Sequence, residues 1–353
     1  MNKDTPKQKL ILHVLKGGTN LPPPIWLMRQ AGRHLPEYMR LRSQPKSFLD
    51  LCYTPTFCIE ATLQPIKRYG FDAAILFSDI LVIPNALGQH VDFVSGTGPV
   101  LEPISDIKEI RKLNIKSLYE NLRPVYSSVR QISAKLKDFP NNPALIGFAG
   151  APWTVATYMV EGGSSKDYQK TKKWAYKSPN EFSLLIDLLI DATSEHLINQ
   201  INSGAEIIQI FDSWAGVLSP FQFDRWVVNP TKKIIDYVKS ACPDIPIIGF
   251  PRGAGLLYER FVDLTGVDGV SIDSTIPLSW VIEHIQKDIV IQGNLDNFSL
   301  MVGGNLMETE ISEILSFFSE RPFIFNLGHG ILPSTPISNV EKLVKLVRSK
   351  KND

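Results

Sequence analysis

Phe139-Pro-Asn-Asn-Pro-Ala-Leu-Ile-Gly-Phe-Ala-Gly-Ala-Pro-Trp-Thr-Val-Ala-Thr-Tyr-Met-Val160 carries no charged side chain, and two structures compete for it. Its length approaches the about 20 apolar residues that cross a bilayer. Pro140, Pro143, Pro152, two asparagines and two glycines interrupt it, so the expectation is a buried strand over Ala144–Phe148, then an irregular turn, and no membrane span. That run has counterparts along the chain. Short apolar runs bounded by turn residues fall at Pro24–Met28, Ala73–Phe77, Ala144–Phe148, Ile207–Phe211, Ile245–Phe250, Val267–Ile272, Ile289–Gln292 and Pro322–Asn326. They are mostly continuous rather than alternating, as expected of parallel strands packed on both faces. Each is followed by a segment with helical periodicity. In Glu181–Ile201, for example, Leu184, Leu185, Leu188, Leu189, Ala192, His196 and Leu197 recur at three- and four-residue steps. Eight alternations of strand and helix predict an α/β fold, a (β/α)8 TIM barrel. Val91–Leu101 reads as a β-hairpin inserted after strand 2.

No repeat, low-complexity tract or Gly/Ser linker marks a boundary, so residues 1–353 are expected to form a single domain. A doubly wound sheet is the alternative, but no Gly-x-Gly-x-x-Gly or Walker-type loop follows any run. Lys+Arg at 37 nearly cancel Asp+Glu at 36, which removes the global field that would draw nucleic acid or an anionic membrane. Any anion site must be local. Cys52, Cys58 and Cys242 are odd in number and scattered, suiting reduced thiols in the cytoplasm. No His lies near Cys52 and Cys58, and no metal site is expected. The apolar run Leu10–Leu15 is too short for a signal peptide and reads as a first helix.

In such a barrel the active site forms where the strands end. The first run ends in Arg29-Gln30-Ala31-Gly32-Arg33, the second in Ser78-Asp79, the third in Gly150-Ala151-Pro152-Trp153, and the fourth in Asp212-Ser213; the later ones bring Arg252, Asp273, Asn294 and Gly328-His329-Gly330. Arg29, Arg33, Arg40 and Arg42 put four arginines into fourteen residues. A guanidinium grips a carboxylate with two parallel bonds and stays charged when buried. Salt bridges to Glu37 and Asp50 are the bland alternative, and the one expected for Arg40. Asp79 lies between apolar runs, where a lone carboxylate costs several kcal/mol and calls for a partner: an N-cap role or a pairing with one of the arginines is the bland reading, a carboxylate held for a cation or a ring of donors the sharper one. His329, between two glycines, is by itself as readily a packed histidine as a ligand contact, and a lone Tyr158, Ser213 or Phe211 is usually structural.

Pro24-Ile-Trp-Leu-Met-Arg-Gln-Ala-Gly-Arg33, followed by Leu35-Pro-Glu-Tyr38, closely resembles the first signature of the uroporphyrinogen decarboxylases. Gly147-Phe-Ala-Gly-Ala-Pro-Trp-Thr-Val-Ala-Thr-Tyr-Met-Val-Glu-Gly-Gly163 is similar to the second. Phe77-Ser-Asp-Ile80, Gln209-Ile-Phe-Asp-Ser-Trp214, Gln292-Gly-Asn-Leu-Asp296 and Asn326-Leu-Gly-His-Gly330 follow in that family's order. The resemblance implies a (β/α)8 barrel without metal or organic cofactor, generally a homodimer, acting on a tetrapyrrole in haem biosynthesis. It further implies that Arg29 and Arg33 bind substrate carboxylates within a loop completed by Gln30, Ala31 and Gly32. Asp79 would be the central carboxylate, Tyr158, Ser213 and His329 further polar contacts, Phe211 a wall, and Arg42 the holder of a peripheral carboxylate. His34 stands where a Tyr is expected and Met39 where a basic residue is common, which touches only the outer rim. Two other classes compete: a zinc-dependent corrinoid methyltransferase of related barrel type, though no Cys follows His329-Gly-Ile331, and a non-catalytic tetrapyrrole binder.

Overall fold

Seven of the eight apolar runs pair as parallel strands of one sheet in the computed structural model, which describes residues 9–285 and 287–349. In chain order the strands are β1 (Ala73–Ile75), the hairpin pair β2 (Val91–Val94) and β3 (Gly98–Leu101), β4 (Ala144–Gly150), β5 (Ile207–Asp212), β6 (Ile247–Pro251), β7 (Gly269–Ser271), β8 (Val290–Leu295) and β9 (Phe323–Leu327). The sheet order is β1-β4-β5-β6-β7-β8-β9, with β2 and β3 antiparallel and apart. Strands β4, β6, β8 and β9 are buried at every residue, which is why their sequences run apolar without alternation.

The remaining run, 24–28, differs from expectation, forming a single parallel bridge, Ile25 to Phe325, instead of a strand. Pro22, Pro23 and Pro24 lack the N–H groups that a ladder would use. The run still joins both edges of the sheet. Phe325 N donates to Pro24 O at 2.9 Å, Asp72 N donates to Ile25 O at 2.9 Å, and Ile25 N donates to the Asp72 carboxylate at 2.9 Å. These bonds close the ring in the eighth position. Inside it, Trp26 Nε1 donates to Gln292 Oε1 at 2.8 Å, and Gln292 Nε2 donates to Gln209 Oε1 at 3.1 Å and to Ser271 Oγ. Each such buried bond contributes about 1 kcal/mol net, while an orphaned partner costs 1–3 kcal/mol, so the layer favours one arrangement of the strands.

The uncharged stretch becomes β4 and then a helix, Pro152–Glu161, after the single residue Ala151. The expected irregular turn is absent because proline, with its preset φ and no N–H, is suited to the first helical position. No described helix is long and apolar enough to cross a membrane. The periodic segment Glu181–Ile201 lies in the helix Pro179–Asn202, burying Leu185, Leu189, Ala192, His196 and Leu197. Leu184, counted in the same stripe, is 45% exposed. The hairpin follows β1, as expected, and docks on the end of the helix Pro152–Glu161 through a Val100–Gly163 bridge. The first helix is short, Leu10–Val14.

Candidate active site

The loop after the run 24–28 is held from beneath. Gln30 is fully buried and spends its amide on backbone, accepting from Leu27 N at 3.2 Å and donating to Ala73 O at 3.1 Å. Its place in the candidate site is therefore that of a strut, with its side chain turned from the cleft. Met28 N donates to the Asn326 side chain at 3.0 Å, and Ile331 N donates to Met28 O at 2.9 Å. Between these anchors Arg29 adopts φ +60°, a left-handed conformation that costs an ordinary residue about 1–2 kcal/mol. Such strain is characteristic of functional positions. Ala31 and Gly32 are partly exposed beside it.

The Arg29 side chain lies across Gly330. A methyl built on Gly330 would stand 2.3 Å from Arg29 Cδ and 2.5 Å from Cγ, so the absent Cβ leaves room for the guanidinium stem. Gly330→Ala is expected to push Arg29 off this surface and lower kcat/KM on the substrate proposed below by about tenfold or more, since a charge-assisted bond contributes roughly 1.5–3 kcal/mol. Steady-state kinetics beside a thermal melt would check this, with the melt nearly unchanged because Gly330 lies outside the left-handed region. Although Arg29 is exposed to solvent in the cleft, protein surrounds it on most sides. Burial holds its pKa below the usual arginine value, opposed by Tyr158 and Asp79 and reinforced by the like charges of Arg252 and Arg33.

Asp79 leaves the sheet at a pinned point. Phe77 N donates to Thr62 Oγ1 at 2.9 Å, and Phe77 O accepts from Cys58 Sγ at 3.1 Å, fixing the chain end of β1 to the helix Pro55–Tyr69. One carboxylate oxygen of Asp79 accepts from Leu81 N at 2.9 Å, and among the described residues Asp79 forms no ion pair. It keeps a partial opening to the cleft, yet its apolar surroundings dominate. Burial pushes its pKa up to about 6, against the opposing pull of the Leu81 N–H and the Arg29 charge.

Tyr158 projects from the helix Pro152–Glu161 beside Trp214, their rings 6.0 Å apart. Burial raises its pKa, and the charge of Asp79 adds to that. Phe211, at the end of β5, packs edge-on against Phe148 and Phe250. Ser213 follows at a clamped turn: Trp214 N donates to Thr154 Oγ1 at 3.0 Å, and that hydroxyl donates to Asp212 at 2.5 Å. Asp212 is buried and, among the described residues, its second oxygen has no hydrogen-bond partner; burial pushes its pKa to about 7. His329 is half-buried, and burial, aided by the charges of Arg252 and Arg29, holds its pKa down to about 4.

Arg33 is exposed and close enough to Arg29 for their charges to oppose each other. Arg42 is half-buried, its guanidinium 4.8 Å from the centre of the Phe48 ring and near enough to Tyr38 to oppose the burial that raises the Tyr38 pKa. Among the described residues, the salt bridges expected for Arg40 are absent. Glu37 accepts from Arg68 at 2.7 and 3.0 Å, and Asp50 closes a capping box with Ser47. Arg252 shares the field of Arg29 and His329, although the sequence marks it only as a strand-end residue. Among the described residues, no group of three or more His, Cys, Asp and Glu stands together as a metal site would require.

A ring of parallel strands whose C-terminal ends bring Arg29, Arg33, Arg252 and Asp79 within reach of one another's charges defines an α/β-barrel protein with its titratable groups gathered at one mouth. The family model for uroporphyrinogen decarboxylase (URO-D) matches residues 6–350, and the chain belongs to that family. A uroporphyrinogen decarboxylase of Rhodospirillum rubrum is 52% identical over 349 residues, covering 99% of both chains, and one of Mesorhizobium japonicum is 50% identical over 344 residues, covering 98% of this chain and 99% of that one. Among solved structures, a methyltransferase from Methanosarcina mazei superposes with a TM-score of 0.74 at 18% identity, covering 96% of this chain and 97% of that one; that likeness concerns the fold.

Proposed function

We propose that this protein decarboxylates the four acetate arms of uroporphyrinogen III to methyl groups, yielding coproporphyrinogen III. The observation that carries the reading is Asp79: a carboxylate in an apolar floor, without an ion pair among the described residues, facing a cleft rimmed by Arg29 and Arg33. A macrocycle with acids around its edge and four pyrrole N–H groups at its centre supplies what both lack, because a carboxylate can accept about four hydrogen bonds. A proton added to a pyrrole carbon beside the acetate arm makes the ring a cation. The C–CO2 bond then breaks, its electron pair flows into the ring, carbon dioxide leaves, and the exocyclic carbon takes up a proton as the ring carbon returns its own. Asp79 stabilises the ring cation, a preorganised electrostatic effect. With a pKa of about 4, His329 is a neutral imidazole at neutral pH, so it acts by hydrogen bonding, and the proton is better assigned to a water held by Arg33. Tyr158 and Ser213 line the site, Phe211 walls it, and Arg42 takes a carboxylate at the margin.

A homodimer, a cytoplasmic location and a single barrel domain over residues 1–353 accompany this reading; the termini outside residues 9–349 lie beyond the described structure. The deciding assay is anaerobic incubation of the purified, chelator-treated protein with uroporphyrinogen III, followed by oxidation and separation of products by carboxylate number. A ladder from eight carboxylates to four supports the reading, while folded protein that removes none refutes it. The pH profile is a second check. Asp79 is charged above about 6 and protonated below, so kcat/KM should fall as pH drops through about 6. His329→Gln should retain that limb, and a limb that vanished with the imidazole would belong to His329 instead.

A further inference from the structure

Counting the run 24–28 as the first position of the ring, β6 is the fifth of eight, and Arg252 therefore leaves the barrel mouth opposite Arg29. Its backbone is fixed from both sides. Arg252 N donates to Asp212 O at 3.0 Å, its carbonyl accepts from Gly216 N at 3.1 Å, and the next residue, Gly253, donates to Asp273 at 2.7 Å. The side chain is half-buried and forms no ion pair among the described residues. Among the described residues, the acids of the adjoining loops form no ion pair with it. Asp273 accepts from Gly253 N, Tyr258 Oη, Thr275 N and Thr275 Oγ1, and Asp212 gives one of its two oxygens to Thr154. A guanidinium without a counter-ion, placed where its charge opposes that of Arg29, costs free energy that an anionic ligand would offset.

We propose that Arg252 is a second anchor, binding a peripheral carboxylate of the macrocycle on the rim opposite Arg29 and Arg33 and selecting ligands acidic on both edges. The inference rests on the function proposed above. Loop anchoring by backbone bonds holds the fork at one place on the rim, so the span between opposed cations selects by shape as well as charge.

Arg252→Gln should raise KM for uroporphyrinogen III about tenfold or more with kcat changed less than about threefold, and Arg252→Lys should recover part of the loss. Binding of two oxidised, unreactive porphyrins, followed by fluorescence quenching, separates this role from a structural one. Arg252→Gln should weaken binding of octacarboxylic uroporphyrin about tenfold while leaving unchanged a dicarboxylic porphyrin whose acids share one edge. Equal losses for both ligands, or an unchanged KM, would overturn the inference. If Arg252→Gln does not fold, the selectivity of Arg252→Lys against wild type decides in the same way. Wild-type protein that fails to decarboxylate would defeat the functional reading instead, and the porphyrin comparison would still report on Arg252.

Discussion

Asp79→Asn is expected to lower kcat for uroporphyrinogen III by about three orders of magnitude while changing KM only a few-fold. Asparagine keeps an oxygen for Leu81 N and for a pyrrole, so ground-state contacts largely survive. What disappears is the negative charge opposite the ring cation, and removing one preorganised partner of a developing charge costs roughly 10²–10³ in rate; loss of a full charge in an apolar floor belongs at the upper end. Stability should move the other way. The folded-state pKa of about 6 lies above the ordinary value of 3.8, so the native state holds its proton more tightly than the unfolded chain. Stability contributed by the protonated form is therefore present at low pH and lost as pH rises from about 4 to about 6. Above that window the charge is a burden that asparagine removes. Asp79→Asn should unfold at the same or a higher temperature than wild type at pH 8, and the difference should shrink towards pH 4. A variant with near-normal rate, or one destabilised at pH 8, would remove Asp79 from this role.

Arg29→Gly is expected to reduce kcat/KM by about two orders of magnitude without loss of stability. The rate term follows from a bidentate charge-assisted contact worth roughly 1.5–3 kcal/mol, lost with the charge that helps keep Asp79 ionised. The stability term follows from the backbone. At φ +60° arginine carries a left-handed cost of about 1–2 kcal/mol that glycine avoids, and the variant also removes a cation opposed by Arg33 and Arg252. Arg29→Lys, which keeps the charge but not the planar fork, should recover only part of the rate. Kinetics and denaturant unfolding of the two variants would check this; a Gly variant that is both slow and unstable would make Arg29 a structural residue.

The barrel was largely legible along the chain because continuous apolarity bounded by turn residues is a local property. It located seven strands and the hairpin, with ends misplaced by a few residues where hydrogen bonding rather than hydropathy sets the limit. The first run fell short for a reason already visible at Pro22, Pro23 and Pro24, whose missing donors leave one bridge. The strand-end positions of the arginine loop, Asp79 and His329 were also legible, since each closely follows an apolar run and barrels place their chemistry at strand ends.

Which arginines remain without partners was a different kind of question. Glu37 lies within a turn of Arg33 and Arg40 in sequence but is bonded to Arg68, 31 residues away, a pairing that depends on how the helices Pro36–Arg42 and Pro55–Tyr69 pack. Gln30 reads as one of five consecutive binding residues, yet burial turns its amide into a backbone strut. The contact of Arg29 with Gly330, the raised pKa of Asp79, and the position of Arg252 across the mouth all join segments far apart in the chain. The sequence by itself determined the strands, their alternation with helices and the residue types available at each strand end, because these follow from periodicity and short-range sterics. Only the tertiary structure decided which charges are paired, buried or opposed, because desolvation and Coulomb energy depend on distances that exist once the ring has closed.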